Sequence, residues 1–553
     1  MKSEQSLYRF RVNGPLLAIV VLYLVFNLIG LTRSPLLWVD EATLNDAARE
    51  LALSGSIRSS VFSDVPSFAK GYYWQPPLQT AISLAVYKVF GFGIWQTRIP
   101  PLVFAAASLF VLGCILARLN CVKYVSILSV LMLGSDPVFS FLARSGRMDS
   151  MCLFFLLVSM WSSLQARSTL RLGWSMLTGL ALGAAGISHP IAAGMGIGLV
   201  VAHALYVHPR LKHSLVVLCC AAVLPLSWFA YAWLSGEWSF FTAQFLQHGN
   251  DHLVASSLLQ KCANEIGRYA RDYARAPILP VVYLVAVISC VRLIRLHGAK
   301  DVIMVCVWFV SALVFNTVFM TKDVGFYGLY PVTVAVVMLA FGASEFVRTI
   351  SPTNNRFLVV SMATIVLGLF AVGPGGRLAV TVHQWNERDP NNLRDAIATA
   401  IPQGSKVYGE GMLWYAAHDL NYSLLVDDYF LGKAFPKRLS QLHSKVDYIV
   451  LEKKQALRAN LSPALLVDSI VITAPSFSNK SDTLYHLLVW GTKTTNITAS
   501  SSGGKSSTDG KSTTSGKSTT DAPASTEATT LTTIARRADR NTDFFKKQNG
   551  THD

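Results

Sequence analysis

The feature that most constrains this chain is the succession of apolar runs that fills the first 375 of its 553 residues. Stretches at 14–31, 99–117, 122–142, 149–166, 173–187, 189–207, 214–235, 277–297, 301–320, 326–347 and 356–375 are each long enough, or nearly so, to cross a membrane. A helix needs about 20 residues to span a hydrocarbon core of ~30 Å. Lipid offers the backbone no hydrogen-bond partners, so runs of this kind cross it as helices. The expected fold is mainly α: a polytopic membrane protein with about eleven transmembrane helices, outer-face interfacial helices and a small outer α/β domain. The pair within 173–207 is the hardest to separate. Composition agrees, because 52% hydrophobic and 14% charged residues with a mean hydropathy of +0.40 exclude an ordinary soluble globular protein.

Charge sets the orientation. Short loops on the inner side of a membrane hold the Lys and Arg. With the N-terminus inside, the inner segments carry Lys2, Arg9 and Arg11; Arg118 and Lys123; Arg167 and Arg171; Arg210 and Lys212; Arg292, Arg295 and Lys300; Arg348 and Arg356. The formal charge of +16 therefore follows largely from topology, with membrane lipids as counter-charge and no nucleic acid implied. The chain is expected to be integral to the cytoplasmic (inner) membrane and multi-pass, with its C-terminal part outside. The eight cysteines form no C-x-x-C pair, and the first span lacks a cleavage site and should stay as an anchor.

Two outer loops, 32–98 and 236–276, are too long to be simple connectors. In the first, ATLNDAARELALSG reads as a helix ending at Gly55, and PPLQTAISLAVYKVFG as a helix opened by Pro76 and Pro77, closed by Gly91 and lying in the interface. Beyond residue 376 short β-branched runs alternate with helical patterns. The expected division is a transmembrane domain at 1–376, an extracytoplasmic α/β domain at 377–492 and a disordered Ser/Thr/Gly/Lys-rich tail at 493–553.

Four clusters could carry chemistry. Asp40 and Glu41 follow the first span; their plain structural role would be to cap a helix, but an acid at a membrane boundary needs a cation, a metal or a polar cavity. Arg144, Arg147 and Asp149 share the turn ARSGRMDSM. There Asp149 or Ser150 could merely cap the next helix, yet paired arginines on the outer side depart from the charge rule, and their forked donors suit phosphate. Tyr72, Tyr73 and Trp74 precede the Pro-Pro helix, and Lys322, Asp323, Tyr327 and Tyr330 crowd the start of a late span. Aromatics in both places could equally be headgroup anchors. All four clusters fall on the outer face, under a topology assigned without them. Carboxylates with Arg, Lys and Tyr there suit a reaction with a lipid phosphate as leaving group, an acid as general base and cations on the departing phosphate.

The order of motifs resembles that of a family: the polyprenyl-phosphate-sugar-dependent membrane glycosyltransferases of the type C fold, which include protein O-mannosyltransferases and the lipid A aminoarabinose transferase. The matching segments are WVDEA, WQPPLQTAISLAVYKVFG, RSGRMDSM and FYGLYPV, and the resemblance covers roughly residues 14 to 375. It implies Asp40 as the catalytic acid, with Asp149 as the acid of the later turn. It also implies transfer of a sugar from a polyprenyl-phosphate donor to a lipid, glycan or protein acceptor. Glu41, Tyr72, Gln75, Arg144, Arg147, Lys322, Tyr327 and Tyr330 are the expected substrate-binding residues. Where aminoarabinose transferases carry Glu-Lys before the two prolines this chain has Trp74 and Gln75, and their Arg-Tyr appears as Phe326 and Tyr327. The cationic role then passes to Lys322 or to Arg144 and Arg147. A divalent metal is compatible with such chemistry but not required by the sequence. The rival readings are a polytopic transporter or flippase of a lipid-linked substrate, which would be expected to show repeat symmetry, and a non-catalytic membrane scaffold.

Overall fold

The computed structural model describes residues 14–492 apart from 66, 67, 69, 207–210, 253–256, 275, 298–299, 320–325, 350–351, 427–440, 443, 460–464 and 478–480. The tail at 493–553 and two of the candidate residues, Lys322 and Asp323, therefore lie outside the described residues.

Every one of the apolar runs is helical. Helix α1 spans Gly14–Leu28, α4 Ile94–Arg118, α5 Lys123–Ser135, α7 Asp149–Thr169, α8 Leu172–Gly186 and α9 Ala192–Tyr206. Helices α10 Leu211–Leu234, α13 Ile278–His297, α14 Lys300–Val318, α15 Leu329–Thr349 and α16 Pro352–Val372 complete the bundle. The run at 173–207 is two helices. Among the described residues, six helical segments are long and apolar enough to cross a membrane: Ile94–Arg118, Asp149–Thr169, Leu211–Leu234, Asp301–Val318, Leu329–Thr349 and Asn355–His383. Their exposed Leu, Val and Phe side chains, such as Leu218, Leu226 and Leu367, are those of helices that face hydrocarbon.

The run expected at 122–142 is broken. Pro137 has no N–H, and the residue before a proline is pushed out of helical geometry. Asp136 accordingly adopts φ −61° and ψ 129°, and its Oδ1 accepts from the N–H groups of Val138 and Phe139, which opens the short helix α6, Pro137–Leu142.

Both long loops fold. The first holds α2, Val39–Ser54, ended by Gly55 at φ +73°, and α3, Pro77–Phe90, followed by Gly91. The second holds α11, Trp238–His252, and α12, Leu258–Asp272. Helix α12 is inverted relative to a soluble amphipathic helix: Glu265 and Arg268 are buried while Leu258, Leu259 and Ile266 are exposed.

After α17, Pro374–His383, and α18, Pro390–Ala400, comes a five-stranded sheet in the order β2-β1-β3-β5-β4. Strand β1 is Lys406–Gly409, β2 Ser423–Val426, β3 Tyr448–Glu452, β4 Leu466–Pro475 and β5 Ser481–Gly491. The first three are parallel, and β5 pairs antiparallel with β3 and β4. The expected boundary at 376/377 falls inside α17, which continues the apolar helical segment. This part seats directly on α2. Trp414 Nε1 donates to Asp46 at 3.0 Å, Val426 N donates to the Val61 carbonyl at 3.0 Å, and Gly411 meets Val39 so closely that a Cβ would lie 2.6 Å from its Cα.

Candidate active site

Asp40 and Glu41 occupy the first turn of α2 but cap nothing, since the N-cap is Trp38 and carries no side-chain bond. Their carboxylates go to different arginines. Arg147 donates from Nη1 to Asp40 and from Nε to Asp149 at 2.7 Å, so one guanidinium holds both carboxylates expected to be catalytic. All three side chains are buried. The expected cap at the start of α7 is likewise missing: Met148 is its N-cap, without a side-chain bond, and Asp149 is instead the partner of Arg147.

Burial pushes the Asp40 carboxyl above the ordinary carboxylate range, opposed by the Arg147 charge; burial lowers the Arg147 guanidinium, but Asp149 and Asp40 together outweigh it and push it upward. Aromatic rings close the other sides of Arg147. Its guanidinium carbon lies 5.4 Å from the Trp38 ring centre and 5.8 Å from that of Phe326, and Phe326 stacks on Phe141 at 4.9 Å. Phe326 is held at φ +79°, a left-handed conformation unusual for a large side chain, with its N–H donating to Asp272 Oδ2 at 2.9 Å.

Glu41 faces away from this centre. It takes Arg98 in a forked pair, Nε to Oε1 at 2.7 Å and Nη2 to Oε2 at 3.2 Å, and its Oε1 accepts from Gly146 N at 3.3 Å. Asn45 Nδ2 donates to the Gly146 carbonyl at 2.7 Å. Together these bonds clamp the arginine turn on α2, and the turn packs so tightly that a Cβ on Gly146 would lie 2.6 Å from Thr97 Cγ2. Arg144 is not brought to the centre either. Its Nε, Nη1 and Nη2 donate to the carbonyls of Ser34, Asn27 and Ile29 at 3.0, 2.6 and 3.0 Å, stapling the chain that leaves α1. A guanidinium so engaged with main-chain carbonyls is a brace rather than an open phosphate ligand.

The aromatic candidates divide in the same way. Tyr72 donates to the Thr43 carbonyl at 2.6 Å and packs in the core beneath the sheet. Tyr327 lies edge-on to His189 at 5.4 Å and beneath Arg268 at 5.9 Å, and feels the charges of Arg147, Asp149 and Asp40. Tyr330, one turn on, is buried. Gln75 is buried at the entrance to α3, whose Leu78 N–H bonds the Ile187 carbonyl at 3.0 Å.

Sequence reasoning missed His189 and the Glu265–Arg268 pair, whose ion pair measures 3.1 Å. The signals were present. Ser188-His189-Pro190 is a polar break between two small-residue helices, and α12 places charges at helical spacing on one side with leucine and isoleucine elsewhere. Among the described residues no group of three or more His, Cys, Asp or Glu is placed to hold a metal ion. A cavity of about 300 Å³ lies at the other end of α4 and α5, lined by Leu16, Gly113, Asn120 and Lys123, far along the bundle from the carboxylates.

The apolar helical bundle makes this a membrane protein, and its fold, with the small sheet at one end, is shared with the solved structures named below. Residues 74–233 match the family model described as dolichyl-phosphate-mannose-protein mannosyltransferase. The fold is similar to that of ArnT from Cupriavidus metallidurans bound to undecaprenyl phosphate, with TM-score 0.57 and 17% identity over 88% of this chain and 99% of that one. The apo state of that protein gives 0.54 and 16% over 86% and 98%. The archaeal oligosaccharyltransferase AglB from Archaeoglobus fulgidus, in complex with an inhibitory peptide and a dolichol-phosphate, gives 0.51 and 10% over 85% and 74%. No curated protein matches the chain.

Proposed function

We propose that this protein is an inverting membrane glycosyltransferase that moves a hexose or pentose from a polyprenyl-phosphate donor to a lipid, glycan or protein acceptor. The observation that carries this reading is the Asp40–Arg147–Asp149 bridge, a buried acid and a cation in contact beside a cluster of aromatics. The transferase reading is favoured over a transporter or a scaffold, since the solved structures that share the fold include proteins holding undecaprenyl phosphate and dolichol-phosphate.

The acceptor's hydroxyl or amine attacks the anomeric carbon. As the new bond forms, the bond from that carbon to the phosphate oxygen breaks, and the phosphate leaves with the electron pair. Asp40 takes the acceptor's proton. Its raised affinity for a proton suits a base in a buried site. Once Asp40 is neutral, half of the countercharge on Arg147 is gone, and that positive charge is available to the departing phosphate. Proton transfer and leaving-group stabilisation are thereby coupled through one guanidinium. Arg268, close to Tyr327, adds a second cation, while Lys322, expected at the phosphate, lies outside the described residues.

In this reading about eleven helices cross the inner membrane with the N-terminus inside. The site opens on the outer side, and the sheet-bearing part stands over α2 as a separate extracytoplasmic domain. The purified protein should consume a radiolabelled polyprenyl-phosphate sugar in the presence of a membrane extract as the acceptor source. A protein that moves the lipid across vesicles without cleaving it would be a transporter instead.

A further inference from the structure

His189 sits in the turn between α8 and α9, and the turn fixes its ring. The Ile191 N–H donates to His189 Nδ1 at 3.0 Å. A ring nitrogen that accepts carries no proton, so the neutral imidazole bears its hydrogen on Nε2. That Nε2 is buried and has no hydrogen-bond partner among the described residues. It belongs to a ring that lies edge-on to Tyr327 and interacts electrostatically with Asp149. Asp149 presents the opposite vacancy: Oδ2 accepts from Arg147, while the buried Oδ1 has no partner among the described residues. A native interior rarely leaves a buried donor and a buried acceptor unmade on two residues that interact electrostatically, and each costs free energy until something fills it.

We propose that His189 Nε2–H and Asp149 Oδ1 together bind a hydroxyl of the donor's sugar ring, so that His189 is a sugar-specificity residue; this rests on the glycosyltransferase reading above. A hydroxyl is the ligand that needs one donor and one acceptor at once. A phosphate is not, because its oxygens only accept and Asp149 would repel it. The ring is placed for this by main-chain bonds, His189 N to the Ala185 carbonyl at 3.0 Å and Leu78 N to the Ile187 carbonyl at 3.0 Å, which tie the turn to α8 and to the Pro-Pro helix.

Two substitutions separate binding from architecture. In His189→Asn the side-chain oxygen reproduces Nδ1 and keeps the Ile191 N–H bond but loses the far donor. In His189→Gln the amide reaches the Nε2 position and restores a donor while the turn bond is lost. The experiment measures affinity of the full-length purified protein for a short-chain polyprenyl phosphate without sugar, and for the same lipid carrying mannose, glucose, galactose or arabinose. The sugar lipid that wild-type protein binds best should bind roughly tenfold more weakly to His189→Asn, as expected for loss of one hydrogen bond to a buried group. His189→Gln should recover most of that affinity, and the sugar-free lipid should bind all three proteins alike. Equal losses for sugar-bearing and sugar-free lipid, or no loss in His189→Asn, would overturn the proposal and leave the enzyme reading intact. If wild-type protein binds none of these lipids, the enzyme reading falls and takes His189 with it.

Discussion

Arg147 donates to Asp40 on one side and to Asp149 on the other, joining the first turn of α2 to the start of α7 through a single buried guanidinium. Two carboxylates placed this close would repel each other without it, and a buried charge left unpaired is far more costly than an exposed one.

Arg147→Ala should therefore damage both stability and activity. Removing one member of a buried ion group costs about 3–5 kcal/mol, and the transfer rate should fall at least about a hundredfold, in line with loss of an electrostatic contact to a transition state. Arg147→Lys keeps the charge but not the fork that reaches both acids, so it should recover stability more than rate. Thermal unfolding in detergent beside a transfer assay checks both, and an Ala variant with wild-type melting would contradict the bridge.

The Glu41–Arg98 pair gives a contrasting case. Glu41→Ala and Arg98→Ala should each lower stability by about 3–5 kcal/mol, whereas the double change to methionine should be less damaging than either, because no lone charge remains. Whatever protein survives should keep the donor KM of the wild type. A raised KM in the folded fraction would return Glu41 to the substrate.

Arg144→Ala removes three bonds to the carbonyls of Ser34, Asn27 and Ile29 and should lower the melting temperature while leaving donor KM unchanged. A several-fold rise in KM at unchanged stability would restore it as a phosphate ligand.

How far the sequence reached depended on the range of the interaction. Apolar runs, the Gly55 stop and the Pro-Pro helix start are local signals, and apart from the broken run at 122–142 they appear as elements near their expected bounds. Motif order brought Asp40, Arg147, Asp149 and Tyr327 into one proposal, and the structure gathers them. Partner choice was not legible. Nothing along the chain says that Glu41 turns to Arg98 rather than Arg147, since i and i+1 on a helix point about 100° apart and the arginines arrive from α4 and from the turn before α7. Nor could spacing reveal that Arg144 meets carbonyls exposed at the end of α1. The Asp136 break was readable in principle from Asp-Pro, but the apolar run around it concealed the signal.

The pH profile follows from Asp40. Burial raises its pKa against the opposing Arg147 charge, so the carboxyl binds a proton at a higher pH than an ordinary Asp, for which the value is about 3.9. A base must be unprotonated, and kcat should fall as pH drops through that raised value. A rate unchanged down through about pH 4 would remove Asp40 as the group whose protonation limits transfer.

The most direct test is Asp40→Asn. The amide matches the carboxylate in size and can still accept from Arg147, but it cannot take a proton. The account predicts a protein that inserts and melts near the wild type, binds sugar-free polyprenyl phosphate and transfers no measurable radiolabelled sugar. Full transfer activity in that variant would contradict it.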